Sequence, residues 1–298
     1  MSRRHQGRTL ATGTLYVVST PIGNLEDITL RALRVLKEVD LIAAEDTRWT
    51  RKLLSRHCIH TGITSYHEHN KEEKAVQLVQ KLREGKNVAL VTDAGTPGVS
   101  DPGYALLNAV VKEGVPVCPV PGPSAAIAAL SVAGLPTDRF CFEGFLPSRA
   151  AGRRRRLRIL RIEPRTMIFF ESPRRLHAAL QDMREILGEE RIVVVARELT
   201  KIHEEIVRGP LSKVFEAMTD RQIRGEITLL VSGWSPSRDE ERPAPSVEEE
   251  IRTLMEDDTL GMKEIVAAVA QMHGIPKRLV YRLALPIRAE KDAPSESL

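Results

Sequence analysis

Four short apolar runs constrain this chain more than any other feature: Leu15 to Ser19, Leu41 to Ala44, Asn87 to Val91 and Val115 to Val120. Each ends in a loop and is followed by a helical pattern such as Leu30, Leu33, Leu36 or Ile127, Leu130. Strands that alternate with helices predict a parallel sheet, because a parallel pair needs a long crossover connection. In an open parallel sheet the ligand lies beyond the carboxyl ends of the strands, so the loops converge on one rim.

The loop after the third run is the richest. From Val91 through Thr92, Asp93, Ala94, Gly95, Thr96, Pro97, Gly98, Val99, Ser100, Asp101 and Pro102 to Gly103, it holds three glycines and two prolines. Such a segment takes an irregular path and leaves main-chain N–H and C=O groups open to a ligand. Asp93 and Asp101 make it negative, whereas a loop built only for phosphate would carry the opposite sign. The ligand this implies is cationic or hydroxyl-rich, as are the ribose, amino and sulfonium groups of S-adenosylmethionine. Taken alone, the same loop is also a rigid turn between a strand and a helix.

Its neighbours narrow the choice. Ser19-Thr20-Pro21-Ile22-Gly23-Asn24-Leu25-Glu26-Asp27, Glu45-Asp46-Thr47-Arg48 and Pro121-Gly122-Pro123-Ser124 follow the strand ends, and Ser65-Tyr66-His67-Glu68-His69-Asn70 lies between the second and third runs. Further on come Gly134-Leu135-Pro136-Thr137-Asp138, Glu143-Gly144-Phe145-Leu146-Pro147, Phe170-Glu171-Ser172-Pro173-Arg174-Arg175 and Ala196-Arg197-Glu198-Leu199-Thr200-Lys201. In this order they resemble the signatures of the bacterial 16S ribosomal RNA cytidine 2'-O-ribose methyltransferases, within the tetrapyrrole (corrin/porphyrin) methylase superfamily. Methylases of corrinoids resemble one another in a glycine-rich G-x-G-P-G loop after the first strand. This chain carries Thr-Pro-Ile-Gly-Asn-Leu there.

The resemblance implies an α/β, two-domain fold: a parallel-sheet domain, a mixed-sheet domain and a small C-terminal helical module. Punctuation places the boundaries at 13–135, 136–234, a linker at 235–247, and a helix-turn-helix-like module at 248–286. In the first domain, strands are expected near 14–19, 40–44, 87–92 and 115–120. In the second they are expected at 140–144, 166–170, 192–196, 206–207 and 227–231, with a basic helix over 153–162.

The resemblance further implies S-adenosylmethionine as donor, in a cleft between the domains. Pro21, Asp93, Ala94, Gly95, Thr96, Val99, Ser100, Ser124 and Ala125 are the expected donor residues of the first domain. Phe170, Ala196, Glu198, Gly225 and Glu226 are those of the second. Methyl transfer to a hydroxyl is an in-line displacement that needs alignment and a proton acceptor. Glu45, Asp46, Arg48 and His67 are the candidates for that chemistry, set against a local salt bridge for the first three and a capped polar loop for His67. No Cys/His spacing suits a metal, so none is expected.

Net charge is only +4, from 44 Lys and Arg against 40 Asp and Glu. The cations are clustered: Arg3, Arg4 and Arg8 at the start, and Arg153, Arg154, Arg155 and Arg156 within a run that reaches Arg161. Arginine forks suit phosphates, so 153–156 are expected to contact RNA, with a merely solvated face as the alternative. Three scattered cysteines and no long apolar run predict a cytoplasmic chain. The expected partners are 16S ribosomal RNA in the small subunit and a second copy of the chain. A corrin or porphyrin methylase and a non-enzymatic RNA-binding protein remain as alternatives.

Overall fold

The computed structural model describes residues 12–219, 221–235, 246–256 and 260–292; Arg3, Arg4, Arg8 and most of the expected linker lie outside the described residues. The chain forms two units. One comprises the described residues up to Ala128 together with Glu198–Glu204, the other Ala129–Arg197 and the described residues from Glu205 onward. Among the described residues no helix is long and apolar enough to cross a membrane.

The first unit holds a five-stranded sheet of β1 (Leu15–Val18), β2 (Leu41–Ala44), β3 (Ile63–Ser65), β4 (Val88–Val91) and β5 (Val117–Val120). The order is β3-β2-β4-β1-β5 and every pairing is parallel. The helices are α1 (Leu30–Glu38), α2 (Thr47–Arg56), α3 (Lys71–Arg83) and α4 (Tyr104–Lys112), with α5 (Ala125–Ala133) starting in this unit and running past Ala128. Successive strand residues feed opposite cores. Ile42, Ala44, Ala89 and Val91 pack with Val35 and Leu36 of α1 and Leu53 and Leu54 of α2. Ala43, Val88 and Leu90 pack with Leu78 and Leu82 of α3 and Leu106 and Val110 of α4. A sheet covered on both faces has strands apolar throughout, which is why four of these runs stand out in the sequence. The expected set of four is corrected to five: β3 has only three residues, all half-buried, too few to show a period.

Chain order sets the position of the site. β1 connects to β2 across β4, and β4 connects to β5 across β1, so the loops leaving β1 and β4 depart in opposite directions. A parallel sheet opens its ligand crevice at such a switch point.

The second unit holds β6 (Phe140–Phe145), β7 (Thr166–Glu171), β8 (Ile192–Arg197), β9 (Glu205–Pro210) and β10 (Ile227–Val231), ordered β6-β7-β10-β8-β9. Only β6 and β7 are parallel. Helices α6 (Ala150–Leu160), α7 (Pro173–Leu187) and α8 (Leu211–Thr219) share one core with Met167, Phe169, Val193, Val195 and Leu229.

The expected C-terminal helix pair is corrected to three helices: α9 (Val247–Met255), α10 (Met262–His273) and α11 (Lys277–Asp292). They bury Ile251, Leu254, Val269, Val280 and Ala284 together. α9 starts at a capping box in which Ser246 and Glu249 exchange hydrogen bonds, a signal overlooked amid the acidic run. α10 and α11 meet at Gly274, whose φ of 63° ends the first of them, as the break in the pattern predicts.

The basic run also needs correction. Arg153 is 6% exposed and its Nε lies 2.6 Å from Asp182, itself 2% exposed. Arg154 binds the other oxygen of Asp182 and reaches Glu185, Arg155 faces Glu264, Arg156 faces Glu143, and Arg161 faces the buried Glu250. Arg153 is therefore no surface cation, and the other three are matched by carboxylates from β6, α7 and α10. These acids are distant in sequence, so the run reads as unopposed positive charge although the fold opposes it. Two of the pairs, with Ile159 of α6 packed into the helical core, seat the C-terminal module on α6.

Candidate functional site

The loops leaving β1, β2, β4 and β5 are laced to one another at the carboxyl rim. Thr20 and Gly95 exchange main-chain hydrogen bonds of 2.9 and 3.1 Å, and the Thr20 hydroxyl donates to Thr92 O at 2.9 Å. Ser19 and Thr96 share a hydroxyl hydrogen bond of 2.8 Å, and Thr96 reaches Pro123 O at 3.5 Å. Gly95 has φ +82°, a conformation that only glycine adopts freely. Ser100, in the same loop, has φ +65°; such strain in a non-glycine residue persists only where surrounding structure enforces it. Ser124 and Ala125 stand at the start of α5, where first-turn N–H groups have no partner within a helix.

The structure brings Glu45, Asp46, Arg48 and Asp93 together. The Asp46 N–H donates to Asp93 Oδ1 at 3.0 Å, while Glu45 Oε2 accepts from the Thr92 hydroxyl at 2.5 Å and from the Asp93 N–H at 3.4 Å. Asp46 caps α2 and holds the Arg48 guanidinium at 2.6 Å. Hydrogen bonds from Arg48 lower the Asp46 carboxyl to about 2, so it is ionised throughout the neutral range. Asp93 moves the other way: desolvation raises it, and the neighbouring Glu45 and Asp46 carboxylates add to that. His67 is not part of this cluster. It follows β3, its N–H donates to Asn70 Oδ1 at 2.8 Å, and its buried Nδ1 has no hydrogen-bond partner among the described residues.

The raised Asp93 yields a signed prediction. Its ionised form is disfavoured in the folded chain, so stability falls as pH rises from the ordinary value of 3.8 through the higher folded one. Asp93→Asn keeps an oxygen for the Asp46 N–H and removes the charge. The variant should melt above the wild type at neutral pH, with the gap closing in acid below 3.8. Equal or lower melting at neutral pH would show that Asp93 is not under this strain.

In the second unit, Phe170, Thr228 and Ala196 lie side by side across β7, β10 and β8. Gly225, with φ +87°, and Glu226 lead into β10, the central strand, at that same end of the sheet. Glu198 was expected in the second domain but folds with the first unit, as part of Glu198–Glu204. Sequence reasoning assigned that segment little. Its backbone is strained, with φ +51° at Glu198 and +66° at the β-branched Thr200. The Thr200 hydroxyl accepts the Asn24 N–H at 3.1 Å, and a Cβ on Gly23 would fall 2.5 Å from Lys201 Cγ. Gly23 and Asn24 are thus the counterpart of this segment.

A doubly wound parallel sheet with its switch-point loops cross-linked around paired carboxylates, joined to a mixed sheet, defines a class. Residues 14–214 match the model of the tetrapyrrole (corrin/porphyrin) methylases, and the chain belongs to that family of methyltransferases. It is similar to the ribosomal RNA small subunit methyltransferase I of Escherichia coli O157:H7, 48% identical over 95% of this chain and 98% of that protein. The protein of the same name from Thermotoga maritima is 49% identical over 221 residues, 74% of this chain and 99% of its own length. Among solved structures, uroporphyrin-III C-methyltransferase of Thermus thermophilus complexed with S-adenosylhomocysteine aligns at TM-score 0.52. It is 22% identical and covers 73% of this chain and 97% of that one, a likeness of fold.

Proposed function

We propose that this protein transfers the methyl group of S-adenosylmethionine to the ribose 2'-hydroxyl of a cytidine in 16S ribosomal RNA of the small subunit. The observation that carries it is the laced rim with its Glu45, Asp46 and Asp93 carboxylates. The residues present suit the donor: Pro21, Ala94, Gly95, Thr96, Val99, Ser100, Ser124 and Ala125 offer main chain and small side chains, and Asp93 offers an acceptor for hydroxyl or amino groups. S-adenosylmethionine supplies an electrophilic methyl group. From the second unit we assign Phe170, Ala196, Gly225 and Glu226 to the donor, together with Glu198 of the first.

The acceptor hydroxyl loses its proton as the new bond forms, so a carboxylate or imidazole must stand beside it. Asp46, ionised and held by Arg48, orients the ribose or the donor and is a poor base, while Arg48 holds a phosphate. Glu45, and less directly His67, are the proton acceptors. Relatives almost half identical to this chain, named for small-subunit ribosomal RNA, favour RNA over a tetrapyrrole. After β1, Gly23 and Asn24 pack on Thr200 and Lys201, where corrinoid methylases resemble one another in a glycine-rich loop.

We assign the enzyme to the bacterial cytoplasm and to a homodimer, which doubles the surface available for reading an assembled particle. Purified protein incubated with labelled donor and unmodified small-subunit particles should place one methyl group on a cytidine ribose, located by nucleotide mapping. Transfer to a tetrapyrrole but not to the particle would refute the assignment. Donor binding should survive removal of residues 246–298, whose helices bury a hydrophobic core of their own.

A further inference from the structure

Helix α2 bears four cations and no acid: Arg48, Arg51, Lys52 and Arg56. Thr50, Leu53 and Leu54 turn inward, which leaves the four cations and Trp49 exposed, the indole at 58%. Lys52 Nζ lies 4.2 Å from the Trp49 ring centroid. Trp49, Lys52 and Arg56 recur at helical spacing and form one stripe. Among the described residues Arg51 and Arg56 have no ion pair, in contrast to the matched arginines of α6.

The two ends of α2 are informative. Its first turn is capped by Asp46, whose N–H donates to Asp93, so the stripe begins at the carboxylate rim. Its last turn opens on a groove of about 710 Å³ lined by Arg56, His57, Asn24, Lys201 and His203, with Ile202 97% exposed beside them. The Nε2 atom of His57 is sheltered and has no hydrogen-bond partner among the described residues. Glu26 and the Lys201-bound Glu198 also line the groove, so positive charge is concentrated along the helix.

We infer that the exposed face of α2 binds the single-stranded RNA flanking the target nucleotide, with Trp49 stacked on a base and Arg51, Lys52 and Arg56 on phosphates, the strand continuing into the groove. This rests on the ribosomal RNA reading above. A nucleotide whose ribose is presented to Glu45 and Asp46 must send its neighbours across the adjoining surface, and that surface is cationic with an aromatic platform. Interleaved cations and an aromatic side chain are what sequence-tolerant single-strand binding requires, since every base has a face to stack and every phosphate a charge to match. A protein partner would call for a wider apolar patch than one tryptophan supplies.

The test uses the full-length chain and unmodified small-subunit particles, with binding measured over a salt series. R51A/K52A/R56A should bind at least about tenfold more weakly, and its salt slope should fall by about two, as expected for three lost phosphate contacts at about 0.7 each. Trp49→Ala should weaken binding at least about fivefold with the slope unchanged, and Trp49→Phe should restore most of it. Arg156→Ala, whose cation is already matched by Glu143, controls for net charge and should leave the slope as it is. S-adenosylmethionine affinity should be the same in all variants, showing that they are folded. Wild-type binding that the triple variant retains, slope included, would overturn this surface while leaving the enzyme assignment intact. A wild type that neither binds nor methylates the particle would overturn both.

Discussion

Replacing Asp182 with alanine should cost about 3–5 kcal/mol of stability, the range for removing one partner of a buried ion pair. Asp182 accepts from Arg153 Nε and Arg154 Nε, both at 2.6 Å, and its own side chain is 3% exposed. Without it the buried Arg153 guanidinium keeps, among the described residues, one hydrogen bond, a long one to Ser148 O at 3.4 Å. The loss belongs to the second unit, where α6 and α7 share a core. Chemical denaturation followed by circular dichroism measures it. Asp182→Asn should be intermediate, and an Arg153→Met/Asp182→Leu pair should recover much of the loss, because an apolar pair of similar volume leaves no charge to solvate. A loss below about 1 kcal/mol for the alanine variant would mean that the pair is no more than a surface contact.

The second large effect is expected at Gly95. With φ +82°, a β-branched residue costs about 1–3 kcal/mol in backbone strain, and relief of that strain breaks the paired hydrogen bonds with Thr20. Gly95→Val should therefore lower affinity for S-adenosylmethionine by at least about tenfold, measured by calorimetry on folded protein. Gly95→Ala separates the contributions. A Cβ there meets only Ile22 Cγ2 at 3.7 Å and Pro123 O at 3.9 Å, both ordinary contacts, so alanine isolates the strain and valine adds bulk on the ligand side. A well-folded valine variant with wild-type affinity would move the donor away from this loop.

Much of the fold was legible because burial on both faces writes itself as unbroken apolar runs. Leu41 to Ala44 and Val88 to Val91 sit in the middle of the first sheet and are found within a residue or two of their expected ends. β3, at the sheet edge, carries only a three-residue signal and passes unnoticed. The loop proposed to hold the donor was legible for a related reason: glycines and prolines crowd a segment whose main chain is left open. The Glu198–Glu204 segment was not, because its strain at Thr200 and its grip on Gly23 and Asn24 depend on residues about 176 positions apart.

The sequence by itself determined the alternation of strands and helices, the small-residue loops at their ends and hence the family, since these are local patterns that one stretch of chain can express. Tertiary structure alone decided where positive charge is available. Arg153 to Arg156 and the cations of α2 look alike as strings of arginine and lysine, but Asp182, Glu143 and Glu264 converge on the first set from other elements, and among the described residues no acid does so on Arg51 or Arg56. Coulombic matching acts through space over a few ångströms, so which cations are left for a polyanion depends on what the fold brings beside them.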